Sequence, residues 1–335
     1  MVEEVEEAVA AAVVIGRQRE EIMTKSNTIF RNDSPRIAWL LAAGLVFGAQ
    51  SAPKSSQRTF ATPQETIQAT IDAAEHNDTA ALLQLFGPAG KDIVESGDPA
   101  QDKDHRAEFA QSAHEKLQID ADPLTPDRVT FTVGSQEWPF PVPVIRRDGR
   151  WRLDSASGTV EILARRIGRN ELNAMEVCRG YAEAQMEYSA GARDGDHVLK
   201  YAQKIVSTPG KQDGLYSDSI PDSPVSKAFA EAAAANSLTA GKKPQPYHGY
   251  YYRVLKSQGP DAPGGAFDYV VNGKMIGGFA LVAWPAEYGV SGIRTLIINH
   301  DGVVYEKDLG ASTAVQARQM TRFNPDRSWE QLVLE

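Results

Sequence analysis

The side chains whose setting invites a chemical reading in this chain are a few histidines, Ser291 and the single cysteine. His248 and His300 are candidate bases, and Asp301 and Asp268 are carboxylates near them in sequence. An imidazole oriented by a carboxylate can take a proton from an attacking water or hydroxyl. Nothing in the spacing orders them into a triad. Ser291 lies in "GVSGIR", which lacks the Gly-x-Ser-x-Gly elbow between a strand and a helix. His300 falls at the tip of an expected hairpin, where a solvated turn residue is the plainer reading. Cys178 is the single cysteine, so it has no internal disulfide partner. It sits on the apolar face of a helical pattern and reads as core packing.

Metal and phosphate sites fare no better. His105 and His114 are nine residues apart, with Asp102, Asp104 and Glu108 nearby, and His76 lies further upstream. That spacing does not set both histidines on one helical face, so a solvated charged helix is favoured over a metal site. Asp194 and Asp196 match only the acidic start of a calcium loop and read as a turn. "GPDAPGG" lacks the lysine and the following helix that phosphate binding uses. No P-loop, dinucleotide fingerprint or zinc motif occurs. No catalytic residue, cofactor or metal is assigned, and the balance leans away from an enzyme.

Aromatic residues are the alternative. Tyr247, Tyr250, Tyr251, Tyr252, Trp284 and Tyr288 crowd the last third of the chain. Aromatics are enriched at protein interfaces. Tyr247, Tyr250, Tyr252, Trp284 and Tyr288 are therefore a candidate contact surface, against the competing reading that most of them are core. The exposure of Trp284 and Tyr288 decides between the two.

These residues need elements to position them. The sequence predicts an α+β chain with two domains. The first, residues 60–156, opens with Thr62-Pro63, a helix cap followed by proline at the first turn. Helices follow, the last over "DHRAEFAQSAHEKLQI". "DRVTFTVG" then alternates Val129, Phe131 and Val133 as a half-buried strand. Prolines 139, 141 and 143 restrict "WPFPVPV" to an edge or extended arm. Asp148-Gly149 is a hairpin turn leading into the strand "RWRLD". The second domain, residues 157–335, starts with a long helix over 159–190. Its stripe is Ala174, Val177, Cys178, Tyr181, Ala184 and Tyr188. Strands follow, with Asn272-Gly273 and Asp301-Gly302 as hairpin turns. The expectation is an antiparallel meander packed on the helix with its other face wet. Gly277 and Gly278 mark a bulge or close approach, Phe279 to Ala283 a strand that Pro285 ends, and "AEYGVSG" a crossover.

Composition sets outer limits. Of 335 residues, 42% are hydrophobic and 24% charged, enough to bury a core. The net charge of −9 disfavours nucleic-acid partners, and the sharpest basic run, "ARRIGR", reads as one exposed helix face. The amino terminus reads as an address. Arg31 and Arg36 precede an apolar run from Ile37 to Ala49, shorter than the about 20 residues a bilayer needs, and small residues follow. Residues 23–52 read as a signal peptide, with an uncleaved anchor as the alternative, and residues 1–22 as an upstream extension ahead of a second start at Met23. Residues 53–59 are a polar linker. The body is expected in the periplasm or secreted, meeting the membrane only through that signal.

Three resemblances add to this reading. Residues from about 60 to 330 resemble a bacterial family, domain-of-unknown-function family 2950, through "FATPQETIQA", "WPFPVPVI", "EILARRIGRNELNAMEVCRGYAEAQMEY", "STPGKQDGLY", "PYHGYYYRVL", "VVNGKMIGGFALVAWPAEYGVSGIRTLIINHDGVVYEKDLG" and "MTRFNPDRSW". The resemblance implies an exported bacterial protein and brings no catalytic residues with it. The first domain is loosely similar to NTF2-like or cystatin-like domains. The domain after it resembles the soluble head of type II secretion pseudopilins and type IV pilins. The matching positions run from Asn170, Glu171, Ala174, Arg179, Ala184, Gln185 and Tyr188 through Gly249, Tyr250, Ala283, Pro285, Gly289, Val290 and Gly292 to Asp301, Gly302, Val304 and Tyr305. Pilins carry an apolar helical half directly ahead of this helix. Here the charged "EILARRIGR" takes that place, which argues against a filament subunit.

Three functions stay open. The first is a non-enzymatic module that binds an envelope protein or other envelope component through the aromatic-rich second domain. The second is a small-ligand carrier with a cavity in the first domain. The third is a periplasmic enzyme acting on an envelope polymer, with His248 or His300 as base.

Overall fold

Helices begin where the sequence supplies caps. Thr62 Oγ1 accepts from Glu65 N at 3.2 Å, capping helix α1 (Pro63–Glu75), and Glu65 Oε2 reaches back to accept from Ala61 N at 3.0 Å. Asp78 caps helix α2 (Thr79–Phe86), accepting from Ala81 N at 2.9 Å. The short α3 (Lys91–Val94) and α4 (Pro99–Glu115) follow. This computed structural model describes residues 57–96, 99–121, 123–191, 198–218, 223–235 and 245–332. The signal, the extension, Asp194 and Asp196 lie outside the described residues.

The expected helix over "DHRAEFAQSAHEKLQI" stops at Glu115. Leu117 and Ile119 instead alternate with polar residues in strand β1 (Leu117–Ala121), antiparallel to β2 (Arg128–Val133). The edge piece β3 (Trp138–Pro139) pairs with β2, as its proline allows. Strands β4 (Val144–Arg147) and β5 (Arg150–Leu153) complete a sheet ordered β1-β2-β4-β5. Ile67, Ile71, Leu85, Phe131, Val144 and Leu153 are all at most 2% exposed and form its core with α1 and α2. Each such burial contributes about 1.5–3 kcal/mol. Gln57 to Thr59, expected in the linker, belong to this body. Gln57 Nε2 donates to Leu85 O at 2.8 Å and to Leu153 O at 2.7 Å, and Arg58 N donates to Gln84 O.

Helix α5 (Ser155–Ser189) is continuous through Gly168. The chain divides into two compact bodies inside this helix, between Ala164 and Arg165. In the second body Ala174, Cys178, Tyr181, Ala184 and Tyr188 are all at most 3% exposed, so the helical stripe faces the core. After α5 come β6 (Lys204–Val206) and β7 (Gly214–Tyr216), a small parallel pair. Helix α6 (Lys227–Ala235) and strand β8 (Tyr250–Leu255) follow. An arm of two short antiparallel pairs comes next. It is made of β9 (Ser257–Gln258) with β10 (Phe267–Asp268), and β11 (Val270–Val271) with β12 (Lys274–Met275). Strands β13 (Ala280–Pro285), β14 (Arg294–Asn299) and β15 (Val304–Asp308), helix α7 (Thr313–Gln319) and strand β16 (Glu330–Gln331) end the described chain. The main sheet is antiparallel and ordered β16-β15-β14-β13-β8.

The Asn272-Gly273 turn has both φ values positive, 50° and 77°, as a type I′ hairpin requires. Asp301-Gly302 differs. Only Gly302 is left-handed, at φ 76°, and its N–H bonds back to Asn299 O, so the connection is a longer loop.

The wet second face is not observed around β13. All six of its residues are buried, because α5 lies on one side and α7 packs on the other. The run "ALVAWP" is continuously apolar, the pattern of a strand covered on both faces. Arg253 on β8 ties α7 down by donating to Arg318 O at 2.7 Å, to Ala317 O at 2.8 Å and to Met320 O, satisfying carbonyls at the helix's C-terminal end. On the α5 side, Glu171 is 5% exposed, and its Oε1 accepts from Ile293 N at 2.8 Å and Arg294 N at 3.0 Å. Asn170 Nδ2 donates to Ser291 O at 2.9 Å. Among the described residues no helix is long and apolar enough to cross a membrane.

Candidate functional site

The second body does not assemble its candidate bases. His248 is exposed, has φ 48°, and its Nδ1 lies 3.3 Å from Asn173 Nδ2. His300 sits on the β14–β15 loop between the rings of Tyr269, at 5.6 Å, and of Phe267 and Phe279, both at 6.3 Å. Its Nε2 is 3.9 Å from Asp301 Oδ1, and its buried Nδ1 has no hydrogen-bond partner among the described residues. That nitrogen faces Gly278, where a Cβ would stand only 2.6 Å away, so no reactant fits there. Asp268 is exposed and makes no bond to His300 among the described residues. Ser291 Oγ donates to Glu287 O and accepts from Glu287 N, bracing its own loop. Cys178 is fully buried, and burial pushes its thiol up to about 12, far from a thiolate at neutral pH.

The aromatic set is divided. Tyr250, Tyr252 and Trp284 are 0%, 3% and 5% exposed, so they belong to the core and cannot supply a contact surface. Their burial follows from the covering of both sheet faces. Tyr250 OH donates to Arg294 O, and Trp284 packs against Tyr251 under the Arg253 guanidinium. The buried Trp284 Nε1 and Thr295 Oγ1 have no hydrogen-bond partner among the described residues. Tyr247, Tyr251 and Tyr288 are half-buried, and Tyr288 OH donates to Asp308 Oδ2 at 3.2 Å.

In the first body His76, His105 and His114 are exposed on helices or their ends, and His114 Nε2 pairs with Glu75 Oε2 at 3.2 Å. Asp102 is turned onto Ser96 N. No group of three or more metal-ligating side chains occurs among the described residues.

A concave site does occur in this body, at residues the sequence does not single out as a site. It is a cleft of about 210 Å³ beside the β4–β5 hairpin and the first turn of α5. Ile145, small Ala89 and Ala156, polar Gln57 and Ser155, and charged Arg147, Arg152 and Asp154 line it, with Phe86 and Leu153 behind them almost fully buried. The hairpin that positions the arginines is set by its turn. Asp148 and Gly149 have φ 54° and 73°, so Arg147 pairs with Arg150 and Ile145 with Arg152. These four residues share one face, while Val144, Trp151 and Leu153 turn into the core. Arg146 bonds Asp127 and lies over the Trp151 ring, and Arg150 donates to Thr59. The side chains of Arg147 and Arg152 make no hydrogen bond or ion pair among the described residues, while their backbones belong to the β4–β5 ladder. Asp154 is occupied differently: its carboxylate accepts from Ser157 N at 3.4 Å and Ser157 Oγ at 2.6 Å, capping α5.

Comparison with known families bears on the whole of this architecture. Residues 57–332 match the family described as protein of unknown function, DUF2950. The chain belongs to DUF2950. No curated protein and no solved structure matches it. The match in this DUF2950 chain spans both bodies, so the cleft and the two-faced sheet lie within the family's own segment. A signal for the cleft is present in the sequence. "IRRDGRWR" around a two-residue turn places Ile145, Arg147, Arg150 and Arg152 on one face by simple alternation.

Proposed function

We propose that this DUF2950 chain is an exported bacterial envelope protein that binds a small ligand without transforming it, with the first-body cleft as the seat. The observation that carries the reading is the cleft itself, a small concavity of mixed polar and apolar lining with Arg147 and Arg152 at its side. Its volume is below the about 300–1,000 Å³ of drug-sized pockets, so the ligand is small or only partly enclosed. Export is supported by the charged flank, apolar run and small residues near the amino terminus. The different neighbours of the two histidines, Asn173 beside His248 and Gly278 packed on His300 Nδ1, support binding over catalysis. The test is a thermal-shift screen of small metabolites on the wild-type protein and on Ala156→Leu, which fills the cleft. Ligands that raise Tm in the wild type and not in the variant are expected. Hits that stabilise both equally count against the cleft.

A partner-binding role for the second body is the second reading. It is favoured by Phe267, Val271 and Ile276 on and beside its arm, which are 39%, 43% and 45% exposed. Native mass measurement of envelope-extracted protein tests it, and a lone monomer with no co-purifying protein weighs against it.

A further inference from the structure

We propose that β1 is a docking edge for a second copy of this chain, the two strands running antiparallel to each other about Gln118. The cleft lies at the β4–β5 end of the sheet and takes no part. The two ends of that sheet differ. At β5, Phe60 exchanges backbone bonds of 2.9 Å with Trp151. Among the described residues β1 pairs with β2 alone. Two bonds fix where its backbone groups point. Lys116 O accepts from Gly134 N at 2.9 Å, so it is turned toward β2. Phe131, opposite Ile119, turns its O the other way, to Phe140 N at 2.9 Å. Backbone groups alternate along an antiparallel strand, so Leu117 and Ile119 direct N–H and C=O out of the sheet. Such a row is a template for one more strand.

The residues of the edge say which strand fits. Pairing about Gln118 sets Leu117 opposite Ile119 of the second copy, and Ile119 opposite its Leu117. Both are outward-bonding positions, so each pair exchanges N–H and C=O. The same register sets Lys116 opposite Asp120 in both directions, with Gln118 facing itself. Each charge meets its opposite, in a chain whose net charge is −9. Lys116 Nζ donates to Glu137 Oε1 at 2.6 Å, and Asp120 Oδ1 accepts from Gln118 Nε2 at 2.9 Å. Both contacts are exposed, and an ammonium and a carboxylate each have bonding capacity left for a second partner. Leu117 and Ile119 are half-buried against the first-body core, so the pairing carries that core across the twofold axis. A foreign strand would need an acid and a base in matching order, whereas a second copy supplies them by symmetry. One short strand a side falls well below the about 1,200 Å² that stable interfaces bury, so the dimer is weak and forms only at high concentration.

The test is disulfide trapping with oxidised glutathione in Gln118→Cys, with Asp120→Cys as the control. Directly opposed Cβ atoms lie about 4.5–5.5 Å apart, close to disulfide range. Residue 120 faces residue 116 and is remote from its own copy in this register. Cys178 is fully buried and does not compete. Trapping through residue 118 is expected to be at least about tenfold faster than through residue 120. Sedimentation velocity across a concentration series then reads the intact protein without a cross-link. The wild type is expected to shift toward dimer. Asp120→Lys opposes like charges twice over and is expected to weaken association about tenfold. Exchanging the two charges, Lys116→Asp with Asp120→Lys, is expected to recover most of it. Circular dichroism confirms that each variant is folded. A wild type that stays monomeric throughout, equal trapping at the two positions, Asp120→Lys associating like wild type, or an exchanged pair no better than Asp120→Lys each overturns the proposal.

Discussion

Asp213 shows how one side chain can close a loop. It accepts from Lys204 Nζ at 2.8 Å, Thr208 N at 2.7 Å and Thr208 Oγ1 at 2.8 Å, which holds β6 and β7 together. Burial pushes its carboxyl up, but the hydrogen bonds from Lys204 and Thr208 outweigh it and leave the value at about 2. The folded value is therefore depressed below the ordinary value near 3.9. Its stabilisation is fully present above about pH 4 and is lost as pH falls toward 2. We expect the wild type to lose roughly 1–2 kcal/mol more than Asp213→Asn between pH 5 and pH 2, after allowing for solvent screening of a partly exposed pair. Urea midpoints across that range check it, and parallel losses in the two proteins count against it. Single residues are unevenly legible from sequence. Cys178 declares itself through its place on an apolar stripe. Tyr250, Tyr252 and Trp284 do not, because an aromatic looks the same in a core as on a contact surface. Only the cover on both sheet faces settles where they go.

Among elements, turns and stripes are the most readable parts. Asp148-Gly149 and Asn272-Gly273 form the hairpins their dipeptides require, and the α5 stripe is buried as its spacing predicts. Helix α7 is hidden in the sequence, since its inward residues are only Thr313 and Ala317 and no apolar stripe marks it. What holds it is Arg253, on a strand far away in sequence. Strand β1 is equally hard to read, because "EKLQI" continues a helical pattern and only its pairing with β2 decides otherwise. The close approach expected at Gly277-Gly278 has a visible reason. Gly278 has φ 141°, and a Cβ there would meet His300 Nδ1 at 2.6 Å. Gly278→Ala is expected to destabilise the protein by about 2–3 kcal/mol from strained backbone plus steric conflict. Adding His300→Ala relieves the steric part, so the double variant recovers about half. Denaturant unfolding of the four proteins forms the cycle, and strict additivity of the two changes would show that the ring is not the obstacle.

At the scale of the whole molecule, contacts that join distant parts of the chain matter most. Glu171 and Asn170 on α5 bond to residues 121 to 123 positions later, at Ser291, Ile293 and Arg294. Glu171→Ala leaves the N–H groups of Ile293 and Arg294 without that acceptor, at a cost of about 2–4 kcal/mol. Chemical denaturation measures it, and a change below about 0.5 kcal/mol would mean that the loop finds other partners. The same bonds impose a timetable. Translation runs at about 5–20 residues per second, so Ile293 follows Glu171 out of the ribosome by roughly 6–24 s. Once Ser189 has followed, the helix is complete in sequence, yet the Glu171 carboxylate waits for the N–H groups of Ile293 and Arg294 until about a hundred further residues are made. A ribosome stalled just short of Ile293 would display the helix with that carboxylate still unmet by them.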